Sequence, residues 1–568
     1  MYSTRHSLTP SALLLLIIAT LCLSPVFLCA ATDDFFAQLV AKTPSDLLAL
    51  CQRAVDADPD GSVQQRQKLG SMGLLEAVET SMAKSLALII QEETVHIAEG
   101  QYQSQSGAFN YMLSGGVSYG LNTTKLDSVS QKAAIPFKAL NVNQTTTSLA
   151  LSKQLRTGPT LSLSSQILKS DYTNDLMATL NETANPATTA IVKLEATIPL
   201  LNGAGHIAAA TETAAQFTYV ATEYDYLQSI STNTLTVVQR YWDYKTAFFA
   251  YDINLAIEGL VRQLLDREKN RSVNHSSLNL DTTQHSIILN ILTAKLSDAS
   301  RDTSLARQEI TNARQTLALA LGIEATHFAK LAVPREEFKL DTVSLPKDES
   351  AYLKHLTQMA INHRLDLKSL TLKVRADDLL LDKAKNNLEP HLNLIGNVGY
   401  TGLNENLGVD DYLSSTTDVK DGEFWTVGVS FSYPLGNQTA KGSLQAQNSI
   451  RNISALQQDK LIREITSQLT VDIASLKHWA SSFNQAKNSV EEYWHAVTIV
   501  TQSPIRNNSD LINLLDLQQK LRDATINYSD AQNGFVKEIA LIRYNSGTLV
   551  GLANEKSVIS LERLMTLP

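Results

Sequence analysis

The sequence has 568 residues and a net charge of −9, with 48 lysine and arginine residues against 57 aspartate and glutamate residues. Because the chain is acidic and has no cluster of basic residues, we expect no nucleic-acid partner. Hydrophobic residues make up 43% and aromatic residues only 6%, which suits a chain of long helices. The length allows two to four compact domains or one very elongated one.

The first thirty residues have the pattern of an export signal peptide. An apolar run from Ala12 to Leu23 follows a short basic segment, and small residues near Ala30 offer a cleavage site. We therefore predict a signal peptide at 1–30. A retained anchor is the alternative, since the apolar run approaches spanning length before it is interrupted. Lipidation at Cys29 is disfavoured, because the bulky Leu28 stands where that processing requires a small residue.

The mature chain then has a single cysteine, Cys51, so no internal disulfide can form. This cysteine lies in a predicted N-terminal helical extension at 31–70. No later segment has a long uncharged apolar run. We therefore expect any further membrane contact to be made by strands or by lipid.

The rest of the chain reads as two unequal copies of one plan. Pro199 and Pro434 occupy equivalent places in the two copies, and so do Gly322 and Gly547. The first structural repeat is predicted at 71–325, with strands at about 107–201 and long helices at about 207–269 and 281–321. A linker follows at 326–350. The second structural repeat is predicted at 351–550, with strands at about 391–402 and 423–434 and long helices at about 443–502 and 510–546, and a C-terminal tail follows at 551–568.

The long helices carry a seven-residue repeat of apolar residues. In the second copy its positions are Leu469, Leu476, Phe483, Val490 and Val497. Such seams pack helix against helix. At about 1.5 Å per residue, a helix of roughly 60 residues is on the order of 90 Å long. The sequence therefore predicts a rod or a tube rather than a compact domain.

The predicted strands alternate between apolar and small polar residues. Trp425, Val427 and Val429 point one way while Thr426 and Gly428 point the other. This is typical of a transmembrane β-barrel with lipid outside and water inside. A soluble sandwich gives similar alternation. The signal peptide and the lack of spanning helices favour the barrel.

An inserted segment at 145–170 complicates the first copy. It contains two alternating runs around the hairpin turn Thr157-Gly158-Pro159. It lies between the two strands expected of this repeat. The sequence leaves open whether it adds strands to the barrel or forms an outer cap.

Two glycine-bearing turns resemble nucleotide-binding loops. Lys441-Gly442-Ser443 transposes the last two residues that a phosphate loop requires. Gly203 begins a loose dinucleotide fingerprint, but polar residues line one face of the preceding strand and the following helix is far too long for a βαβ unit. We therefore predict no enzyme activity, no cofactor and no metal site. The paired turns, Pro199 with Gly203 and Pro434 with Gly436, are interpreted as exits from barrel strands into long helices.

The chain resembles the TolC family of outer-membrane efflux and secretion channels. The resemblance covers about Leu74 to Gly547 and rests on "INHRLDLKSLTLKVRADDLLLDKAKNNLEPHLNLIGNVGY", on the paired strand exits "IPLLNG" and "SYPLGN", and on "SDLINLLDLQQKLRDA". It implies a mainly α fold with a membrane β-barrel portion, in which a homotrimer forms one outer-membrane barrel continued by a long helical tube across the periplasm of a Gram-negative bacterium.

The same resemblance implies a passive exit duct of a tripartite efflux pump or a type I secretion system. An inner-membrane pump and a periplasmic adaptor protein would be its partners, together with outer-membrane lipid. The alternative is a structural coiled-coil envelope protein or adhesin without transport activity. That alternative accounts for the heptads and the signal peptide but not for the paired alternating strands.

The resemblance also implies a gate at the periplasmic tip. The family's acidic ring positions fall on Asn513 and Asp516, of which only Asp516 is acidic. Three carboxylates around an axis would favour cations. The alternative is that Asp516 is a solvated helix residue. Charged residues beside the two helix breaks are candidate latches of the closed tip, or ordinary exposed charges: Arg506, Asp510, Arg271 and Asp281.

Overall fold

A computed structural model of the chain describes residues 70–125, 139–172, 187–274, 282–337, 346, 348–404, 422–502, 508–553 and 556–568. The predicted signal peptide and the N-terminal extension with Cys51 lie outside the described residues. No helix in these ranges is both long enough and apolar enough to cross a membrane.

Helices dominate the described residues. In chain order they are α1 (Leu74–Lys84), α2 (Leu86–Ser106), α3 (Ala210–Asn274), α4 (Thr282–Ala320), α5 (Glu349–His363), α6 (Leu365–Asn386), α7 (Gln438–Gln502), α8 (Asn508–Asn545) and α9 (Leu561–Met565). The main strands are β1 (Tyr111–Lys125), β2 (Ala139–Gln154), β3 (Thr160–Tyr172), β4 (Ala187–Pro199), β5 (His391–Asn404) and β6 (Glu423–Ser432). Short strands pair Ser71–Met72 with Val333–Pro334 and Gly551–Ala553 with Lys556–Val558.

The two longest helices, α3 and α7, have 65 residues each. At 1.5 Å per residue, each is about 100 Å long. Helix α3 packs beside α4, and α7 packs beside α8. The predicted heptad residues of α7 lie in these contacts: Leu469 is fully buried, and Phe483 and Val490 are each 5% exposed. The prediction of helix-on-helix seams is confirmed.

The helical segment that precedes the strands in each copy is divided into two helices by one residue with extended backbone. Ser85 separates α1 from α2 with φ −64° and ψ 117°, and Arg364 separates α5 from α6 with φ −66° and ψ 125°. Extended backbone at equivalent places in the two copies strengthens the evidence for an internal repeat. Neither residue is glycine or proline, so local sequence gives no warning of the break.

All six main strands form one antiparallel sheet in the order β1-β2-β3-β4-β5-β6. Strands β2 and β3 are the inserted segment, and they occupy the middle of the sheet. The insertion therefore adds two strands to the sheet wall and is not an outer cap. Phe109, predicted as part of the first strand, lies instead in a short 3-10 turn where its ring is buried.

Candidate functional site

One face of the sheet is apolar and exposed. A row of directly paired residues crosses all six strands on this face, and each of its members is apolar: Leu113, Leu151, Leu163, Leu194, Val398 and Trp425. Trp425 is 77% exposed and Leu113 is 69% exposed. A continuous row of exposed apolar side chains across six strands marks a surface that contacts lipid or another protein.

The opposite face is mostly small and polar. The neighbouring row of paired residues consists of Met112, Ser152, Ser162, Glu195, Asn397 and Thr426. The Lys193 ammonium donates to the Glu195 carboxylate at 2.7 Å on this face. Apolar and polar sides are thus separated by a single step along every strand, which is the arrangement of a barrel wall between lipid and water.

Both ends of this sheet are open. Within the described residues, β1 pairs only with β2 and β6 only with β5. Each end strand therefore has a row of backbone N–H and C=O groups without a partner strand. In lipid such groups cost several kcal/mol apiece, so open edges are not tolerated in a membrane. In a membrane, both edges would have to be paired with further strands.

The sheet joins the helices through two similar turns. Gly203 has φ +81° and Gly436 has φ +85°, so both turns use the left-handed conformation that favours glycine. The Gly203 N–H donates to Asn386 Oδ1 at 2.7 Å, which ties the first turn to the end of α6. Asn437 Nδ2 reaches the Leu388 carbonyl at 3.5 Å on the second turn. Both turns lie between the end of a strand and the start of a long helix.

The turn between β2 and β3 of the inserted hairpin lies at the end of the sheet nearest the helices and contacts the same junction. Arg156 donates through Nε at 2.7 Å and Nη2 at 2.6 Å to the carboxylate of Glu212, in the first turn of α3. The Gly205 N–H donates to the Thr157 carbonyl at 3.0 Å. The hydrogen bond from Arg156 lowers the pKa of Glu212. Sequence analysis missed this bidentate pair, although an acidic residue at a helix start is a recognisable feature.

The far end of the long helices carries the candidate gate residues. Arg506 and Asp281 lie outside the described residues, and Arg271 lies in the last turns of α3 without a described side chain. Asp510 is half-buried in the first turn of α8. Only Asp510 of these four has a side chain in the described part of the chain, so the latch stays a prediction.

Asn513 and Asp516 lie one turn apart on the exposed side of α8. Leucines of the same helix, among them Leu514 and Leu515, are buried against α3, α4 and α7. Asp516 forms an ion pair with Lys520 at 2.8 Å, which raises the pKa of the lysine. The spacing of four residues between Asp516 and Lys520 on one helix is the sequence signal for this contact.

A buried polar cluster joins the middle of α7 to the C-terminal end of α8. The Asp472 carboxylate is fully buried and accepts from Asn545 Nδ2 at 2.6 Å and from Gln468 Nε2 at 2.8 Å. Arg364, at the break between α5 and α6, reaches Asn545 at 3.5 Å. The cluster joins both long helices of the second copy to that break. Sequence analysis missed it, because these residues are too far apart in the chain to suggest a contact.

No three histidine, cysteine, aspartate or glutamate side chains in the described ranges lie close enough together to hold a metal ion. The glycine turns are occupied by the contacts of the sheet junction described above.

Comparison with solved structures identifies the class of fold. The outer membrane channel CmeC of Campylobacter jejuni matches with a TM-score of 0.61 and 13% identity, over 84% of this chain and 85% of that one. The open state of the outer membrane channel MtrE of Neisseria gonorrhoeae matches with a TM-score of 0.52 and 14% identity, over 84% and 89%. The chain has the fold of these outer-membrane channels.

The outer membrane protein VceC of Vibrio cholerae also matches, with a TM-score of 0.55 and 14% identity, over 84% of this chain and 96% of that one. The fold expected from the TolC resemblance is therefore confirmed, and these structural relatives are membrane proteins rather than enzymes. No family model and no curated protein sequence matches the chain.

Proposed function

We propose that the chain is the outer-membrane exit duct of an efflux or secretion apparatus. One observation carries this proposal: a sheet with an apolar and a polar face, open at both edges, continues directly into helices about 100 Å long. Copies of the chain would close the sheet into a barrel in the outer membrane and the helices into a tube across the periplasm. The duct would be passive, with an inner-membrane pump and a periplasmic adaptor supplying energy and cargo.

Exposed apolar residues beside the two open edges support self-assembly. Helix α2, which leads into β1, exposes Ile90 and Ile97 at 63% and 61%. Helix α7, which follows β6, exposes Ile453 and Leu456 at 53% and 66%. The two surfaces lie on opposite edges of one protomer, so a contact between copies would be head-to-tail, the mode that forms a closed ring when the rotation between copies closes. Together with the resemblance noted above, this supports a homotrimer.

The function is tested by the location and conductance of the intact protein. We expect heat-sensitive trimers in outer-membrane fractions and discrete ion conductance when they are inserted into planar lipid bilayers. A protein recovered only as a soluble periplasmic rod, or an outer-membrane protein without conductance, would contradict the proposal. The first result would favour the structural coiled-coil alternative, and the second the adhesin.

The assembly surface gives a direct prediction. Changing Ile90 and Ile97 together to glutamate places two desolvated charges in the contact between copies. We expect trimers to fall by about tenfold or more on native gels, with little loss of helical content in each chain. Gln103→Glu, on another exposed side of α2, adds a charge away from this contact and should leave the trimer intact. Equal loss in both variants would show that the apolar stripe is not the interface.

Removing Lys520 and removing Asp516, which form an ion pair near the end of the long helices, should have opposite effects on ion selectivity. Lys520→Ala removes the cation that neutralises Asp516, so cation permeability should rise relative to anion permeability, on the order of twofold. Asp516→Ala should lower the same ratio. Reversal potentials in a KCl gradient measure both changes. Lys460→Ala is the matched control, because Lys460 pairs with Glu464 at 3.5 Å at the same spacing but far from the tip. A change of the same sign in both tip variants would refute a role for this pair.

A further inference from the structure

The inserted hairpin is a full part of the sheet wall. Strand β2 pairs with β1 from Tyr111↔Lys153 to Lys125↔Ala139 without a bulge, and β3 continues the register into β4. Strands β1 and β4 are therefore separated by two strands and make no ladder with each other. The sheet of one protomer has six strands, of which the hairpin supplies two.

The hairpin has the same two faces as its neighbours. Leu151 and Leu163 belong to the apolar row, and Ser152 and Ser162 belong to the polar row. A one-residue slip would reverse both faces, so this agreement across five ladders specifies the register. The hairpin is consequently suited to stand between lipid and water, as β1 and β6 are.

The turn of the hairpin, between β2 and β3, also makes close contacts with its surroundings. If Gly158 carried a Cβ atom, that atom would lie 2.8 Å from the Gly203 carbonyl oxygen and 2.9 Å from the Pro199 ring. The hairpin turn is thus in tight contact with the first exit turn. The bidentate pair between Arg156 and the buried carboxylate of Glu212 holds it from the helix side. These contacts fix the hairpin within the wall at the base of the sheet.

We propose that the assembled channel has an eighteen-stranded barrel and that the hairpin sets its width. This inference rests on the proposed function and on a trimer, with each copy supplying six strands. At equal strand tilt, barrel circumference is proportional to strand number, so the barrel is about one and a half times as wide as four strands per copy would allow. Barrels of sixteen to eighteen strands leave an open aqueous channel.

The polar face supports an open lumen. Several of its residues on the hairpin are small, as Ser148, Ser162 and Ser164 illustrate, while Gln166 and Leu168 lie on the same face, so side chains fill only part of the added space. The barrel section therefore accommodates bulky cargo of polypeptide dimensions, and it does not act as a filter for small molecules. Any selection by size is left to the helical tip.

Polymer access to the barrel tests this width independently of the tip. In a Cys51→Ser background, Thr426→Cys places a thiol on the polar face of β6, and Val427→Cys places one on the apolar face as a matched control. Maleimide-linked polyethylene glycols of increasing mass are added from outside to cells. The comparison variant lacks residues 139–172 and carries Glu212→Gln, which avoids leaving a buried carboxylate without its arginine. In this variant β1 and β4 would pair directly, with the apolar residues of both strands on the same face of the sheet.

We expect the Thr426→Cys thiol to react with larger polymers in the intact protein than in the shortened one, and the Val427→Cys thiol to react with none. The same size limit in both proteins would overturn the inference. Electron cryo-microscopy of the intact trimer counts the strands directly: eighteen supports the inference and twelve overturns it, whether or not the shortened variant assembles. Conducting trimers with an unchanged size limit refute only the wide barrel, whereas absence of membrane insertion refutes the duct as well.

Discussion

Gly322→Ala should destabilise the protein severely. Gly322 ends α4 with φ +70°, and a Cβ atom there would lie 2.1 Å from the Lys84 carbonyl oxygen and 2.9 Å from the Ser85 nitrogen. The clash is with backbone, which does not move aside as a flexible side chain would. Left-handed strain and overpacking together cost about 3 kcal/mol or more. The expected result is a drop of several degrees or more in the temperature at which helical circular dichroism is lost in detergent.

The second copy repeats this contact and provides an internal check. Gly547 ends α8 with φ +72°, and its Cβ atom would lie 2.8 Å from the Arg364 nitrogen. Gly547→Ala should therefore also destabilise, but less than Gly322→Ala because the overlap is smaller. Gly442→Ala is the control, since nothing lies within 4 Å of its added Cβ and alanine favours the interior of α7. A melting temperature unchanged by Gly322→Ala would disprove the tight contact.

The second large effect concerns pH. Glu538 on α8 is 8% exposed, and its Oε1 atom has no hydrogen-bond partner among the described residues. Burial raises its pKa to about 8, with a further contribution from the negative charge of Asp472. Charged or titratable groups face it from three helices: Asp472 on α7, Arg240 and Asp243 on α3, and Asp530 and Lys537 on α8. Lys537 is already paired with Asp243.

The raised pKa fixes the sign of the pH dependence. Between the unfolded value of about 4.5 and the folded value of about 8, the folded protein retains a proton that the unfolded chain has released. The free energy of unfolding therefore falls as pH rises through this window, by roughly 1 kcal/mol for each pH unit, and levels off above it. Melting temperatures measured from pH 5 to pH 9 should follow this course.

Glu538→Gln removes the titrating group while keeping its shape. The variant should lose most of this slope and should be more stable than the natural protein at pH 8, where the natural side chain is partly ionised in a buried place. Glu492→Gln, an exposed change on α7, should keep the natural slope. A Glu538→Gln protein with an unaltered slope would assign the pH dependence to other groups.

Much of the fold was predictable because its patterns are local. A heptad seam, an alternating strand and a proline or glycine at a strand exit each need only a few residues to be recognised, and the burial of Leu469 agrees with the predicted seam. The breaks at Ser85 and Arg364 were not predictable. Their extended backbone follows from packing against the ends of α4 and α8, which are distant in the chain.

The candidate sites divide in the same way. The pair of Asp516 with Lys520 is visible as a spacing of four residues, so sequence alone contains it. Asp472, Asn545 and Glu538 lie on two helices, and only their packing creates a buried carboxylate with a raised pKa. Arg156 with Glu212 likewise joins a strand turn to a helix start 56 residues away.

The sequence by itself determined the duplicated plan, the length of the helices and the two-faced character of the strands, because hydrophobic periodicity encodes each of them. Only the tertiary structure decided that the segment at 145–170 joins the sheet between β1 and β4, so that each protomer has six strands in one sheet. Alternation specifies which side of a strand is apolar, whereas the partner of a strand depends on backbone hydrogen bonds between distant segments, which no local pattern records.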